Sequence, residues 1–277
     1  MKFTKMQGCG NDYVYVNTFK EKVEDPAAVS VRVSDRHFGI GSDGLILVGP
    51  SKVADVKMNM YNADGSEAQM CGNGVRCVAK FALDNGLAKG DTVNVETLAG
   101  IKSIKVLKEE GNTRFFTVDM GEPELDPEKI PVLLGKEKAI KEKVKVDGKE
   151  YEITCVSMGN PHAVTFMKGV DELKIEEIGP KFENNAMFPE RTNTEFVELI
   201  DGETVKMRVW ERGSGETLAC GTGACAVAVA CVLCGYTNNK VKVKLLGGDL
   251  EIFYDKDNTN HVFMTGPATT VFEGEID

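Results

Sequence analysis

Two cysteines lie in nearly the same sequence context and are the residues with the clearest capacity for chemistry. Cys71 is followed by Gly-Asn-Gly and Cys220 by Gly-Thr-Gly, and the two positions are 149 residues apart. A strand-like run and a turn rich in small and polar residues precede each of them. A thiolate can remove a proton and a thiol can deliver one. Two equivalent cysteines, one in each half of the chain, therefore indicate a reaction with two similar sides.

Each of these cysteines stands immediately before a predicted helix, and this position affects its acidity. The glycines that follow leave backbone N–H groups open and let a ligand come close. The positive end of the helix dipole favours a thiolate and a bound carboxylate, so we expect thiol pKa values below the ordinary one. A single cysteine at a helix start is more often a small packing residue. Two cysteines in the same register favour the reactive interpretation.

Internal repetition extends well beyond the two cysteines. Residues 56–74 align with residues 205–223 without a gap, and residues 93–100 are echoed by residues 241–248. Several motifs in one register indicate a tandem duplication rather than chance similarity. Because there are only two copies, we predict a pseudo-twofold pair of domains rather than a solenoid.

The apolar run after the second cysteine indicates how each domain is built. Residues 224–234 carry no charged or amide side chain, so a helix there should be buried on all sides and should end at Gly235. Short strands flank this helix in the sequence. We therefore predict an α/β (α+β) fold of two pseudo-symmetric domains, each a mostly antiparallel sheet wrapped around a central helix.

Turn and cap signals give approximate boundaries for the helices. One helix is predicted over residues 26–37, because Pro26 suits a first helical position and apolar residues follow at helical spacing. Another should run from Cys71 to about Leu83 and stop near Gly86.

Domain boundaries follow from the repeat and from composition. Residues 121–150 are charged and rich in proline, and they are the most linker-like stretch, with a strand pair around Asp147-Gly148 as an addition. We assign residues 1–118 and 265–277 to the first domain, with Cys71. Residues 119–264 form the second domain, with Cys220, and the last strand region returns to the first.

Composition limits the classes of function. The chain has 277 residues with 33 basic and 43 acidic side chains, which gives a net charge of −10. No basic face for nucleic acid is indicated, and the longest apolar run is too short to span a bilayer. The eight cysteines occur in a long chain that starts with polar residues rather than with a secretory apolar segment. We therefore expect thiols in a reducing cytoplasm.

One other cysteine pattern has a possible chemical interpretation. Cys231 and Cys234 have the spacing of half a redox or zinc motif. They lie late in a predicted buried helix, whereas a reactive dithiol needs a helix N-terminus and access to solvent. No second Cys pair or His pair completes a zinc site. We expect neither a metal nor an organic cofactor.

Three polar residues mark places where the two copies differ. His162 lies in a loop whose counterpart in the first copy has Tyr13, and Glu211-Arg212 replace Asn62-Ala63. A single histidine is more often structural than catalytic, and the charged pair would otherwise be a solvated ion pair. Their location next to the repeated motifs favours asymmetric substrate recognition, built where the repeat is broken.

A set of short motifs occurs along the chain in a highly specific order. In sequence they are Gly10-Asn-Asp, Asn62-Ala-Asp-Gly-Ser-Glu, Cys71-Gly-Asn-Gly-Val-Arg-Cys, Gly159-Asn-Pro-His, Thr192-Asn-Thr, Glu211-Arg-Gly and Ala219-Cys-Gly-Thr-Gly. The set covers nearly the whole chain and resembles the diaminopimelate epimerase family. The resemblance implies a cofactor-free enzyme of lysine and cell-wall precursor synthesis that interconverts LL- and meso-2,6-diaminopimelate. It also implies two pseudo-symmetric domains, each with a sheet around a central helix.

The resemblance further implies roles for individual residues. Cys71 and Cys220 would form the acid/base pair, and His162 and Glu211 would position or tune the thiols. Backbone N–H groups at the two helix starts would hold the carboxylate at the reacting carbon. Substrate contacts would come from Asn11, Asn62, Gly72, Asn73, Asn160, Asn193, Glu211, Arg212, Gly221 and Thr222. Some family members carry a substrate-contacting Gln at the position of Gly44, where this chain offers only backbone.

The expected mechanism needs strong stabilisation of a carbanion-like transition state, because the α-proton of an amino acid is only weakly acidic. Helix N-termini aimed at the carboxylate would provide preorganised donors, each typically worth about 10²–10³ in rate. Proline racemases share the Cys-Gly-x-Gly signatures and are the related alternative, whereas a thiol-disulfide oxidoreductase or redox sensor is the alternative of another class. The expected partner is a small amino acid, with no nucleic acid or membrane and with a homodimer as the assembly to test.

Overall fold

The computed structural model describes residues 1–277 and shows a mixed α+β protein dominated by strands. It divides into two compact units. The first comprises Met1–Asp119 and Thr265–Asp277, and the second comprises Met120–Met264. These boundaries lie within one residue of those expected from the sequence. None of the helices is long and apolar enough to cross a membrane.

The first unit contains two helices, and most of its strands follow the order expected from the repeat. Its elements are β1 (Lys2–Gly8), β2 (Asn11–Asn17), α1 (Pro26–Ser34), β3 (Gly44–Gly49), β4 (Val56–Asn62), β5 (Glu67–Ala68), α2 (Gly72–Asp84), β6 (Thr92–Thr97), β7 (Gly100–Glu110) and β8 (Thr113–Asp119). The C-terminal part of the last strand, β17 (Val262–Glu275), pairs with β1.

The second unit repeats this order after one additional strand. Its elements are β9 (Glu142–Val146), β10 (Lys149–Ser157), β11 (Pro161–Phe166), a 3-10 turn at Val170–Glu172, α3 (Ile175–Glu183), β12 (Asn193–Leu199), β13 (Thr204–Glu211), β14 (Gly215–Thr217), α4 (Gly221–Cys234), β15 (Lys240–Leu245) and β16 (Gly248–Tyr254). The final strand β17 begins within this unit.

Strand register shows the duplication directly. In the first unit Tyr13 of β2 pairs with Gly44 of parallel β3. In the second unit His162 of β11 pairs with Asn193 of parallel β12, so both partners have moved by the same 149 positions. The antiparallel pairs β3–β4 and β12–β13 are related in the same way. The predicted α+β fold, with mostly antiparallel sheets, is confirmed.

Each unit is organised around one buried helix. The side chains from Ala224 to Cys231 in α4 are fully buried, because the helix packs against β10, β11, β12, β15 and β16. Gly235 ends α4 in the left-handed conformation, with φ +74°. Helix α2 packs against β1, β2 and β6 and is buried along most of its length. The central-helix prediction is therefore confirmed, and the start of each helix is anchored in the core.

Helix α1 is shorter than the sequence predicts. It starts at Pro26, where the Asp25 side chain accepts a hydrogen bond from Ala28 N at 3.0 Å. It ends at Ser34 rather than at residue 37, because the Asp35 carboxylate accepts hydrogen bonds from the backbone N–H groups of His37 and Phe38. A side-chain oxygen that satisfies these N–H groups competes with continuation of the helix.

The segment 121–150 is part of the second core and does not behave as a linker, so that expectation is wrong. Strand β9 pairs with β10 across the turn at Asp147-Gly148, which confirms the predicted strand pair. The segment contributes buried apolar side chains to the cluster around Phe182 and Phe196, namely Ile130, Val132, Ala139, Val144 and Val146. Its prolines and charged residues obscure a sparse apolar pattern in the sequence. The apolar side chains of that pattern belong to a core that also includes Phe182 of α3.

Candidate active site

Cys71 caps the N-terminus of α2 with its side chain. Its backbone is extended, with φ −130° and ψ 123°, and its Sγ accepts a hydrogen bond from Gly74 N at 3.3 Å. The same sulfur lies 3.1 Å from Asn11 Oδ1, to which the thiol donates. The end of β1–β2 and the start of α2 thus bring together two residues that lie 60 positions apart in the chain.

The orientation of Asn11 is fixed by a carboxylate. Asn11 Nδ2 donates to Asp43 Oδ2 at 2.8 Å, so its amide oxygen faces Cys71. Asp43 also pairs with Arg36 at 3.0 Å. Burial raises the pKa of Asp43, and the neighbouring negative charge of Asp12 adds to this effect. This arrangement presents a hydrogen-bond acceptor to the Cys71 thiol.

Cys220 occupies the same place at the start of α4 but is more deeply enclosed. Its Sγ accepts from Gly223 N at 3.4 Å and lies 3.5 Å from Thr222 Oγ1. Burial raises the pKa of the Cys220 thiol well above its ordinary value, and the negative charges of Glu211 and Glu195 raise it further. The expectation of a lowered pKa is therefore wrong for Cys220 in this state. Burial and two carboxylates outweigh the helix terminus.

The histidine singled out in the sequence lies in a buried hydrogen-bonded cluster. His162 is fully buried, its Nδ1 lies 2.7 Å from Glu195 Oε1, and its Nε2 lies 3.0 Å from Asn160 Oδ1. Sequence reasoning missed Glu195, although it lies in the Thr192-Asn-Thr-Glu segment. The available signal was a charged residue in the middle of an otherwise uncharged strand start, at the position where the first copy has Ile46.

Glu211 lies next to the second thiol, at the end of β13. It accepts a hydrogen bond from the Thr217 hydroxyl. Burial raises the pKa of Glu211, while the Thr217 hydrogen bond, His162 and the Cys220 side chain counteract part of this increase. The fold therefore gathers Glu211, Glu195, His162 and Cys220 into one polar cluster within the second unit.

Asn193 and Arg212 are joined through the backbone. Asn193 Nδ2 donates to Pro161 O at 2.8 Å, and its Oδ1 accepts from Arg212 N at 2.9 Å. The Arg212 guanidinium donates to Glu190 O at 3.0 Å. Asn193 thus tethers the loop that begins β11 to the turn that carries Arg212, and its side chain is almost completely buried.

In the first unit, Asn62 and Gly44 occupy the positions that correspond to Glu211 and Asn193 in the second. Asn62 Nδ2 donates to Ser66 Oγ at 3.0 Å in the turn after β4. A Cβ atom at Gly44 would lie 2.1 Å from Tyr61 O and 2.8 Å from the Tyr13 ring. Close packing of β2, β3 and β4 therefore leaves no room for a side chain at Gly44.

The two helix starts supply the remaining residues predicted to bind substrate. Gly72 and Asn73 form the first turn of α2, and Gly221 and Thr222 form the first turn of α4. N–H groups in a first helical turn lack partners within the helix and suit an anion. The Asn73 side chain points into the protein, where its Oδ1 accepts from Arg76 Nη2 at 2.8 Å.

The cysteine pair late in α4 lies away from any helix N-terminus. Burial raises the pKa of Cys231 to about 12 and also raises that of Cys234, which makes a thiolate at neutral pH unfavourable. No group of three or more His, Cys, Asp and Glu side chains in residues 1–277 is arranged to hold a metal ion.

These features define a class of duplicated α+β proteins in which each unit begins its central helix with a cysteine. Solved structures share the fold at low sequence identity. A phenazine biosynthesis protein of the PhzF family from Bacillus anthracis has a TM-score of 0.73 at 18% identity, covering 100% of this chain and 99% of that one. A probable proline racemase from Agrobacterium radiobacter has a TM-score of 0.68 at 12% identity, covering 100% and 92%.

Sequence similarity then defines the family. The diaminopimelate epimerase family profile matches residues 3–125 and 154–271. A diaminopimelate epimerase from Acetivibrio thermocellus is 60% identical over 277 residues, covering 100% of this chain and 99% of the relative. One from Methanococcus maripaludis is also 60% identical over 277 residues, covering 100% of both chains. The chain belongs to the diaminopimelate epimerase family, as the sequence motifs predict.

Proposed function

We propose that this protein interconverts LL-2,6-diaminopimelate and meso-2,6-diaminopimelate, with Cys71 and Cys220 as a cofactor-independent acid/base pair. The observation that carries the proposal is the pair of equivalent helix-capping thiols in a chain that belongs to this family. Each sulfur accepts a hydrogen bond from an N–H group in the first helical turn, at Gly74 and at Gly223. Such a bond stabilises the thiolate that forms when a thiol gives up its proton.

The proposed reaction exchanges one proton at each thiol. The thiolate of one cysteine removes the α-proton, and the electron pair is left on the α-carbon and its carboxylate. The thiol of the other cysteine delivers a proton to the opposite face of that carbon, which inverts its configuration. The protonation states of the two cysteines are then reversed, and they return to the starting state before the next turnover in the same direction.

The first turns of α2 and α4 suit the carboxylate that gains charge in this step. Gly72 and Gly221 carry no side chain, so a ligand can approach the N–H groups of both turns closely. Donors that are already oriented lower the barrier without having to reorganise during the reaction. The backbone N–H groups of Asn73 and Thr222 complete this proposed binding set.

Substrate selectivity is proposed to depend on groups that the two copies do not share. Arg212 can bind the distal carboxylate in a bidentate manner, and Glu211 can accept from an ammonium group. The tether from Asn193 to Arg212 N at 2.9 Å supports a fixed position for this turn. Asn11, Asn62 and Asn160 are the proposed amide contacts, and Gly44 can contribute only its backbone.

The remaining proposals concern location and assembly. We propose a cytoplasmic enzyme that acts on a free amino acid, without a nucleic-acid or membrane partner. The excess of 43 acidic over 33 basic residues supports the exclusion of a nucleic-acid partner. A homodimer is the proposed assembly, and sedimentation equilibrium measures it directly.

The test is chiral chromatography of LL-diaminopimelate incubated with the purified, reduced and dialysed protein. We expect an LL/meso mixture without any added cofactor, metal or electron acceptor. Activity that needs pyridoxal phosphate or a metal would refute the cofactor-independent mechanism. Preferential racemisation of proline would favour the related isomerases, and dependence on a thiol oxidant would favour the redox class.

A further inference from the structure

A fully buried carboxylate lies within the second unit, behind the residues assigned above. Glu195 has an exposed fraction of 0%. Its Oε1 lies 2.7 Å from His162 Nδ1, while its Oε2 is buried without a hydrogen-bond partner. Removing an ionised carboxylate from water costs several kcal/mol unless a partner compensates for the charge. The hydrogen bond from His162 is therefore central to keeping this group in the core.

Packing does not explain why a carboxylate occupies this position. A Cβ atom on Gly223 would lie 2.7 Å from Glu195 Oε1, so the carboxylate lies directly against the first turn of α4. In the first unit the equivalent glycine is Gly74, whose added Cβ would lie 3.0 Å from Ile46 Cδ1. An apolar side chain fills the same space in one copy, so the carboxyl group of Glu195 has a purpose other than filling that space.

The hydrogen bonds of the histidine ring indicate that purpose. The Glu195 carboxylate lies against Nδ1 at 2.7 Å, and the Asn160 amide oxygen lies against Nε2 at 3.0 Å. A carboxylate beside Nδ1 fixes the orientation of the ring, and the ring then fixes the Asn160 side chain. With its oxygen held by His162, the Asn160 amide has only its Nδ2 group to offer in another direction.

We propose that Glu195 is a positioning residue for the epimerisation: it holds the His162 ring through Nδ1, and the ring fixes the Asn160 amide with its Nδ2 donor available to a substrate carboxylate. This inference rests on the proposed function. The fixed amide avoids the cost of reorienting when substrate binds.

Other ionisable groups face this relay from neighbouring elements. Glu211 on β13 and Cys220 on α4 interact electrostatically with Glu195, and so does Cys155 on β10. Burial raises the pKa of the Cys155 and Cys220 thiols, so both stay neutral near pH 7.

The first experiment measures the ring itself by ¹⁵N NMR of the full-length protein, without substrate. In the native protein the His162 Nδ1–H should give a slowly exchanging signal shifted by a hydrogen bond to a carboxylate, whereas the ring of exposed His37 should give none. In Glu195→Gln this signal should shift or disappear. Absence of the signal in the native protein, or no change in the variant, would overturn the proposal whatever the enzyme's activity proves to be.

The second experiment measures kcat and KM for LL-diaminopimelate at pH 8. Loss of the carboxylate releases the His162 ring and with it the Asn160 amide, so KM for Glu195→Gln should rise about tenfold, the effect of one hydrogen bond to a substrate carboxylate, with a smaller change in kcat. An unchanged KM, or a loss confined to kcat, would contradict the proposal.

Two further variants separate positioning from folding. Glu195→Asp keeps a carboxylate acceptor and should retain part of the native KM and the shifted His162 signal, although its shorter side chain lowers the overall rate. Glu198→Gln is the matched control on the same strand, where the carboxylate accepts from the N–H groups of Gly169 and Val170. It should leave both the His162 spectrum and KM unchanged. A KM for Glu195→Asp as high as that for Glu195→Gln would contradict a role for the carboxylate.

Discussion

The backbone has the same arrangement at the starts of α2 and α4, but different polar groups surround the two cysteines. At α2, Cys71 donates to the amide oxygen of Asn11. At α4, Cys220 lies beside the carboxylates of Glu195 and Glu211, and burial together with these charges raises its thiol pKa. Duplication thus supplied two thiols with the same helix-capping geometry. Later divergence gave each thiol its own electrostatic surroundings.

This difference matters because only one end of the proposed substrate reacts, while the other end has to be recognised. A two-base reaction needs two proton carriers, but recognition of the distal groups needs residues that occur once. The histidine and the charged pair at Glu211-Arg212 occur only in the second copy, where the first has Tyr13 and Asn62-Ala63. The proposed mechanism therefore combines repeated groups for proton transfer with unrepeated groups for recognition.

The largest expected effect is the loss of either thiol. Cys71→Ala and Cys220→Ala should each lower kcat by at least about 10²–10⁴-fold, because general acid/base catalysis contributes this much and each face needs its own proton carrier. The double variant should be little worse than either single one, since the two groups act as a unit. Chiral chromatography measures the rates, and substantial epimerisation by one single variant would remove that cysteine from the mechanism.

Isotope exchange tests whether the two thiols act on opposite faces. When LL-diaminopimelate reacts in D₂O, the early meso product should carry deuterium at the inverted carbon, while the remaining LL substrate should stay largely protonated. Mass spectrometry of the separated isomers measures both pools. A single shared base would label both pools or return the original hydrogen to the product.

The next largest effect concerns the unrepeated arginine. Arg212→Lys should lower kcat/KM for diaminopimelate by about 10–100-fold, because a charge-assisted hydrogen bond contributes about 1.5–3 kcal/mol and lysine cannot bind a carboxylate through a planar fork. The circular dichroism spectrum should be unchanged. Arg191→Lys is a control in the same unit, where the arginine pairs with Glu183 at 3.0 Å. Unchanged kinetics for Arg212→Lys would separate this residue from the distal carboxylate.

The electrostatic contrast between the two thiols is measurable by alkylation without substrate. Because the pKa of Cys220 is raised, its thiolate fraction should increase only at high pH, and its reaction with iodoacetamide should accelerate there. Removing a nearby negative charge stabilises the thiolate, so Glu211→Gln should move the Cys220 alkylation curve to lower pH. Peptide mass spectrometry follows the cysteines separately. A curve at an unchanged pH would mean that burial alone sets the acidity of Cys220.

The smallest effect is expected at the carboxylate that orients Asn11. In Asp43→Asn the new amide can present either an acceptor or a donor to Asn11 Nδ2, so Asn11 loses its single orientation toward Cys71. We expect kcat/KM to fall by about fivefold to tenfold, the effect of one neutral hydrogen bond of about 1 kcal/mol. Asp64→Asn, at an exposed turn, should have no effect. Equal activity of Asp43→Asn and the native enzyme would exclude a positioning role for Asp43.

The sequence alone determined the duplication, the two central helices and the positions of the paired cysteines. Each is encoded locally: Cys-Gly-x-Gly recurs at a fixed spacing, and the run after Cys220 is apolar around its whole circumference. The strand registers seen in the structure follow the same repeat, since Tyr13 pairs with Gly44 and His162 with Asn193. These features do not depend on which distant side chains meet.

Tertiary structure alone decided the acidity of Cys220 and the importance of Glu195. The polar cluster joins ionisable side chains from β11, β12, β13 and the start of α4. The separation of these side chains in sequence does not predict how close they lie in space. Both faces of the start of β12 are covered, so the polar/apolar alternation that identifies buried positions is absent there. The contribution of residues 121–150 to the core could not be predicted either. Their scattered apolar side chains are buried among residues distant in sequence, such as Phe182 and Phe196. Burial and charge are properties of the assembled unit, and they set the protonation states on which the chemistry depends.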